Sequence, residues 1–534
     1  MDTLRQSMSW MHTWTGLLFG WVLYFMFVTG SSGYYDSEID AWMQPELSSA
    51  ITIEAPAEAL ETALERAAED TPGAINHRVF LPYTRSFSPY IRVFSTGVDG
   101  DGKRVFTELA LLEDGSAAPE PRDTAGGQRL YRLHWTFHYI PRALGEMLAG
   151  LAAVFMFAAI ISGIITHKKI FTDFFTLRLA KGQRSWLDSH NIVSVMTLPF
   201  QIMITFSGIL LVVTTFFIPI FVAQYGYSED TIKTVEAEMF GGAALVEPVG
   251  EPAELVDMDT LLTVFDAELP GERLGFVEVR NPGDVTATVR VYGIVGDGII
   301  RAAPYVAFAG ATGEVLSVSP RAVSDTSGVM DVLEGLHEGL FAGPVLRVLY
   351  FVSGLMGAGM IATGLVLWTK KRRQKLRGDA VAERNLVLIE RLNVGVVAGL
   401  VIAIGAYFYA NRLLPLGMAD RAEWELHTLF LVWLACIIHA LVRAPSRAWI
   451  EQLAGAAGVF ASLPVLNALT TSLHLGNTLP LPGRAGDMAV AGVDLWFLVI
   501  AAGFAYAAKV AAQKQAAPKR ARRPRAEAPP APAE

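Results

Sequence analysis

Two histidines in this sequence precede a hydroxyl residue and a glycine at the same spacing inside apolar stretches. His12 lies eighteen residues before Gly30 in the pair Thr29-Gly30, and His190 lies eighteen residues before Gly208 in Ser207-Gly208. Imidazole binds metals and moves protons near neutral pH. A ligating side chain within an apolar span is costly, which makes it a candidate for function.

Two further histidines recur in the same way. Leu133-His134 opens an apolar stretch that closes on Ser162-Gly163, and Leu336-His337 opens one that closes on Thr363-Gly364. The pattern of span, outer segment and span therefore occurs twice, which predicts an internal duplication. If the halves surround an axis along the membrane normal, equivalent residues face each other.

That arrangement pairs the histidines across the two halves. We expect His12 to face His190 near the inner surface, and His337 to face His134, or its neighbour His138, near the outer surface. Two neutral imidazoles saturate a haem iron, which then carries electrons and does not bind oxygen. The pattern predicts two haems in series. They would be b-type, because the chain contains no CxxCH motif for covalent attachment.

Other interpretations of these histidines stay open. A histidine at a helix end is often only an interfacial polar residue. His134 and His138 are spaced i, i+4 and face one way, so one could ligate while the other orients, or both could bind a metal instead. His167 is a weaker ligand candidate because Trp368 occupies the equivalent position in the second half of the repeat. We expect His427 and His439 to be structural, and His77 and His474 to lie at the surface.

The elements that must position these residues are membrane spans. The chain has 534 residues, 52% of them hydrophobic, and a mean hydropathy of +0.37, which is too apolar for a soluble protein. Its single cysteine, Cys436, excludes an intramolecular disulfide or CxxC pair, so redox chemistry would need a bound cofactor. The net charge of −9 argues against nucleic acid as a binding partner. Apolar runs long enough to cross a bilayer begin near residues 13, 143, 191, 344, 386, 425, 449 and 488.

Basic residues indicate which side each loop occupies. They cluster after the second span, after the fourth span and in the Ala/Pro-rich C-terminal tail, which places these segments and both termini in the cytoplasm. The two long acid-rich segments then lie outside. Each has a helical pattern, at 56–65 and 257–265, followed by strand-like alternation, at 90–94 and 287–292. Hairpin tips are predicted at Asp114-Gly115 and Thr312-Gly313.

The predicted fold is a polytopic α-helical membrane protein of about eight spans with two small α+β outer domains. The predicted segments are 12–34 (span one), 35–132 (first outer domain), 133–167 (span two), 168–189 (inner loop), 190–222 (span three), 223–335 (second outer domain), 336–369 (span four), 370–385 (inner loop), 386–510 (spans five to eight) and 511–534 (disordered basic tail).

The chain resembles the PepSY-associated transmembrane-helix family, the iron-regulated inner-membrane proteins that include siderophore-iron reductases. The resemblance covers about residues 1–375. Its matching stretches are His12-Thr13-Trp14-Thr15-Gly16-Leu17 with Thr29-Gly30, Leu133-His134 with Ser162-Gly163, the segments 167–178 and 184–191, and Leu336-His337 through to Trp368. Spans five to eight match only a longer variant of the family.

The resemblance implies PepSY-type outer domains in the periplasm of a Gram-negative bacterium, haem b, and delivery of electrons to ferric siderophore complexes. Carried over residue by residue, the ligand candidates are His12, His134, His190 and His337, with His138 and His167 as exchanges. Asp188 is a candidate supporting residue at a helix start. The expected partners are membrane lipid, a ferric chelate in the periplasm, and an electron donor that is a quinol or a separate reductase, because the inner loops are too short for a flavin or nicotinamide domain.

Two other functions compete with this one. A transporter for the siderophore would use the histidines as a proton relay, but only Pro199 and Pro219 in span three resemble the helix breaks of a midplane site. A non-catalytic regulator of periplasmic proteins would bind no chromophore.

Overall fold

The computed structural model describes residues 3–47, 53–82, 88–98, 104–167, 183–212, 223–224, 226, 228, 248–321, 326–376, 379–480 and 487–516. Most of the predicted inner loop after span two, the end of span three, the start of the second outer segment and the basic tail beyond residue 516 lie outside these ranges.

The chain is predominantly helical. Its helices are α1 (Leu4–Leu18), α2 (Gly20–Ser31), α3 (Asp36–Met43), α4 (Pro56–Asp70), α5 (Gly126–Thr136), α6 (Arg142–Thr166), α7 (Gln183–Met196), α8 (Leu198–Leu211), α9 (Met258–Glu268), α10 (Thr326–Glu338), α11 (Pro344–Lys375), α12 (Ala380–Leu413), α13 (Arg421–Val442), α14 (Pro445–Thr470), α15 (Leu475–Thr478) and α16 (Met488–Ala516). Its strands are β1 (Asn76–Phe80), β2 (Ile91–Val98), β3 (Arg104–Leu111), β4 (Leu274–Arg280), β5 (Thr288–Gly293), β6 (Tyr305–Ala309) and β7 (Val315–Ser319).

Between six and eight of the described helical segments can cross a membrane by length and composition. Helices α6, α11, α12, α13, α14 and α16 qualify individually, and two bent pairs qualify if each is counted as one span. Helix α1 meets the segment Gly20–Met43 at 63°, and α7 meets α8 at 68°. The second bend is explained by Pro199 in the first turn of α8, because proline lacks an N–H and disfavours helix in the residue before it.

Spans two and four have the same construction. In each, the histidine lies in a separate helix at the start of the predicted span, and a long apolar helix follows after a short break. His134 lies near the end of α5 before α6, and His337 lies near the end of α10 before α11. Pro141 and Pro344 stand at the starts of α6 and α11, where a missing N–H costs nothing.

The outer segments share one antiparallel sheet of seven strands in the order β3-β2-β1-β4-β5-β6-β7. Strands β1 and β4 join the two segments, with Val79 opposite Val277. Helices α4 and α9 cover one face of this sheet, where Leu60 and Phe265 are buried in the same apolar cluster. The predicted helices and strands of both segments are confirmed, and both predicted hairpin tips are turns with a left-handed glycine, at Gly115 and Gly313.

The prediction that His77 lies at the surface is wrong. His77 is only 1% exposed because it occupies an inward-facing position of β1, where its Nδ1 lies 2.8 Å from Ser95 Oγ on β2. Burial lowers the pKa of this imidazole.

Candidate functional site

His12 and His190 face each other between α1 and α7. Their ring centroids are 6.2 Å apart, and the ring planes are inclined by 65°. His12 Nδ1 lies 2.8 Å from the carbonyl oxygen of Ala159 on α6, and His190 Nδ1 lies 2.9 Å from that of Met360 on α11. Each imidazole is therefore oriented by the apolar helix that follows the outer segment of its own half.

His134 and His337 form the second pair, between α5 and α10. Their centroids are 6.4 Å apart, and the planes differ by 19°. His134 Nδ1 lies 2.5 Å from the carbonyl oxygen of Tyr131, and His337 Nδ1 lies 2.9 Å from Ser207 Oγ on α8. The structure thus brings together His134 rather than His138 with His337.

The geometry of both pairs fits one metal ion between two imidazoles. A ligating nitrogen lies about 2 Å from its metal, and with about 1.1 Å from that nitrogen to the ring centre, two rings on opposite sides have centroids about 6.3 Å apart. All four Nδ1 atoms have a backbone carbonyl or hydroxyl partner, which is how ligating histidines are usually held. Within the described part of the chain, Nε2 of these four histidines has no hydrogen bond.

Each of the four rings also lies against a glycine of another helix. A Cβ added at Gly163 would lie 3.1 Å from His12 Cε1, and one at Gly364 would lie 3.2 Å from His190 Cε1. At the other pair, a Cβ added at Gly30 would lie 3.3 Å from His134 Cγ, and one added at Gly208 would lie 3.1 Å from His337 Cε1. These are the glycines of the four repeated hydroxyl-glycine pairs, and their contact with the histidines was not predicted from the sequence.

The same helices connect the two pairs. His190 belongs to the first pair, and Gly208, eighteen residues later, contacts His337 in the second. Eighteen helical residues cover about 27 Å, and the bend between α7 and α8 shortens the direct distance. The two pairs are consequently separated along the helices of one bundle.

His138 does not share a face with His134, and the assumed i, i+4 relation is wrong. Helix α5 ends at Thr136, and Phe137 and His138 have φ values of 52° and 37°. The chain therefore turns away before His138 is reached. The His138 ring stacks on Phe430 and lies 5.8 Å from the ring of His427, whose Nδ1 is 2.8 Å from the Tyr139 hydroxyl.

His167 and Asp188 lie beside the first pair. His167 follows the last residue of α6, and its Nε2 is 3.0 Å from the amide nitrogen of Asn191, next to His190. Asp188 is 4% exposed and lies inside α7, so its expected position at a helix start is wrong.

The other histidines belong to separate surroundings. His439 Nε2 lies 3.0 Å from Glu451, and His474 precedes α15, where its Nδ1 accepts from the N–H of Gly476. In the described part of the chain no three His, Cys, Asp or Glu side chains are grouped so that they could hold a metal ion.

A buried polar cluster was missed by the sequence analysis. Arg421 and Glu425 on α13 form an ion pair with no exposed surface, next to Asn411 and the segment that leads into α5. The signal was present, since Arg421 and Glu425 stand one helical turn apart at the start of an apolar span.

Comparison with known proteins places most of the chain in one family. The model of a family described as PepSY-associated TM region matches residues 9–371, which include all four facing histidines and all four glycines. No curated protein matches the chain.

Proposed function

The chain belongs to the PepSY-associated transmembrane family, and on that premise we propose that it transfers electrons across the membrane through two b-type haems. His12 and His190 would hold one haem, and His134 and His337 the other. Electrons would enter from a cytoplasmic-side donor or a quinol and leave to a periplasmic acceptor. The acceptor we propose is the iron of a ferric siderophore, which makes the protein a haem-dependent ferric reductase in iron acquisition.

The two facing histidine pairs carry this proposal. Centroid separations of 6.2 and 6.4 Å match the spacing of two imidazoles on opposite sides of one metal ion, and the Nδ1 atoms are already engaged. A proton relay would need hydrogen bonds from ring to ring, whereas among the described residues no hydrogen bond joins the two rings of either pair, whose centroids lie 6.2 and 6.4 Å apart. The geometry therefore favours coordination over proton transfer.

A haem b held by two histidines would accept and release single electrons without an open position for oxygen. The chain's own residues fix how it is held. Carbonyl oxygens of Ala159 and Met360 keep Nδ1 protonated, which leaves Nε2 with its lone pair for a metal. Gly163 and Gly364 allow the rings to lie against the helices, where a side chain would displace them.

The orientation and the outer domains are part of the same proposal. We infer an inner-membrane protein of a Gram-negative bacterium, with both termini cytoplasmic and the shared sheet in the periplasm. The basic residues that end α11, from Lys370 to Lys375, support a cytoplasmic position for that end. We also infer that the two halves are duplicated units with PepSY-like outer domains, which the repeated contact of each histidine with a hydroxyl-glycine pair supports.

The first test is spectroscopic. The protein purified in detergent should show the spectrum of low-spin haem b after dithionite reduction, and a pyridine haemochrome assay should give two haems per chain. Alanine at His12 or His190 should remove one haem, and alanine at His134 or His337 the other. Alanine at His439, which contacts Glu451, is the matched control and should leave both.

The acceptor is tested separately. Dithionite-reduced protein, freed of excess reductant, should be reoxidised by ferric hydroxamate or catecholate chelates, with ferrous iron trapped by a colorimetric chelator. A colourless protein that stays so after haem supplementation would overturn the electron-transfer proposal. Two haems without reoxidation by any ferric chelate would overturn the assignment of the acceptor alone.

A further inference from the structure

The helix that carries His134 is held at its start by the C-terminal helices. Ala125, which precedes α5, donates its N–H to Glu425 Oε2 at 2.9 Å, and the Thr124 hydroxyl donates to the same oxygen at 2.7 Å. The Tyr407 hydroxyl of α12 donates to the carbonyl oxygen of Gly126 at 2.7 Å. Because Ala125 has no capping side chain, the first N–H of α5, that of Gly126, donates to the Thr124 hydroxyl oxygen at 3.2 Å, and Glu425 holds this hydroxyl in place.

Both carboxylate oxygens of Glu425 are fully engaged. Its Oε1 accepts from the Asn411 amide at 2.9 Å and from Arg421 Nη1 at 2.7 Å. Arg421 also donates from Nη1 to the carbonyl oxygen of Asp123 at 2.6 Å. A buried ion pair gains little stability compared with apolar residues, and some such pairs instead specify one arrangement of the chain. Here the pair's further contacts go to the segment before α5.

The contact between the two helices is reciprocal. The Asp123 side chain accepts from the N–H of Ala422, at the start of α13, at 3.0 Å. At the start of each of these two helices, a backbone N–H therefore donates to a carboxylate from the other helix or from the segment before it. Further along, Arg129 of α5 pairs with Glu423, so α13 contacts α5 at successive turns.

The start of α5 packs closely against α3. Gly127 donates its N–H to Asp40 Oδ1 of α3 at 2.7 Å, and Gly126 adopts a φ of +63°. A Cβ at Gly126 would lie 2.0 Å from Asp40 Oδ1, and one at Gly127 would lie 2.3 Å from the backbone oxygen of Asp36. His134 lies nine residues after Ala125, about 13 Å along the helix, so the position of this start determines where the imidazole lies.

We propose that α12 and α13 brace α5, and that Glu425 is the positioning residue through which they set His134 opposite His337. This proposal gives a role to two of the four C-terminal helices, to which the repeat assigns none. It rests on the proposed function only in that His134 and His337 hold a haem. The brace itself is a property of the polypeptide and can be measured without one.

The test uses Glu425→Gln in the full-length protein. Hydrogen exchange followed by mass spectrometry should show about tenfold faster exchange in peptides covering residues 123–136, the size expected for the loss of one charged hydrogen bond. In the same sample, the EPR spectrum of the oxidised haems should be recorded. The haem signal that is lost in His337→Ala should shift, and the haem signal that is lost in His12→Ala should not. Glu451→Gln, which removes a surface ion pair with Arg443 on the same helical block, is the matched control and should change neither.

Each outcome decides the proposal. The proposal would be overturned if hydrogen exchange in residues 123–136 of folded Glu425→Gln protein were unchanged. It would also be overturned if exchange were faster but the EPR signal that is lost in His337→Ala did not shift. Absence of haem in the wild-type protein would overturn the proposed function, and the exchange experiment would still decide whether the brace exists. If Glu425→Gln does not fold because Arg421 is left unpaired, Thr124→Val removes one donor to Glu425 without a change of charge and should act in the same direction.

Discussion

The imidazole rings of His134 and His337 are nearly parallel, with 19° between their planes, whereas the rings of His12 and His190 are inclined by 65°. Parallel ligand planes interact with the same iron d orbital and separate it in energy from its partner. Inclined planes interact with both orbitals and leave them closer in energy. If each pair holds a ferric haem, as proposed, the two haems therefore differ in a property that EPR measures directly.

We expect the oxidised protein to give two distinct low-spin ferric signals. The His134/His337 pair should give the more rhombic signal, and the His12/His190 pair the signal with the larger maximum g value. His337→Ala should remove the first signal and His12→Ala the second. A single signal of doubled intensity would contradict the difference in ring orientation.

Glycine substitutions should test whether the small residues orient the rings. Gly364→Ala places a Cβ 3.2 Å from His190 Cε1, so the ring must move by a few tenths of an ångström, and the EPR signal of the His12/His190 pair should shift. Gly359→Ala, five residues earlier on α11, adds a methyl group with no heavy atom within 4 Å and should leave it unchanged. Equal effects of both variants would show that helix flexibility, not contact with the ring, is responsible.

Replacing His138 should separate it from His134. We expect His138→Phe to retain both haems, because this side chain stacks on Phe430 and lies beside His427 instead of facing His337. His134→Phe should lose the outer haem. The measurement is haem per chain by pyridine haemochrome, and loss of one haem in His138→Phe would instead support the exchange of ligand that the sequence left open.

The outer sheet should become less stable in acid. Burial raises the pKa of Glu278, but Arg280 and Arg78 lower it by more, so the pKa of this carboxyl lies below its usual value. A group with a lowered pKa in the folded state stabilises the fold above its unfolded pKa of about 4.5, and this contribution is lost as the pH falls through the folded value.

Glu278→Gln should therefore lower the free energy of unfolding by about 1–2 kcal/mol at neutral pH, since the side chain is 3% exposed and contacts partly exposed arginines. The loss should shrink below pH 4.5. Thermal unfolding of the detergent-solubilised protein across pH, with the exposed Glu268→Gln as control, measures both effects. A difference between Glu278→Gln and wild type that does not depend on pH would be inconsistent with this pKa.

Local patterns predicted much of the fold. The apolar runs predicted the helices that can cross the membrane, because a span must be long and apolar whatever it packs against. The helix and strand patterns around Glu61 and Val291 predicted α4 and β5, because the spacing of apolar residues along a short segment indicates its secondary structure. The sequence did not predict that β1 pairs with β4, since that pairing joins residues about two hundred positions apart and leaves no local pattern.

The repeated spacing of histidine and glycine determined that His12 and His190 should face each other, and that His337 should face a histidine at the start of span two. Only the tertiary structure decided between His134 and His138, because the helix ends at Thr136 and two left-handed residues follow. It also decided that Glu425, on a helix outside the repeat, contacts the start of α5. Sequence periodicity records which face of one helix is apolar, whereas the contact between two helix ends depends on the packing of the whole bundle.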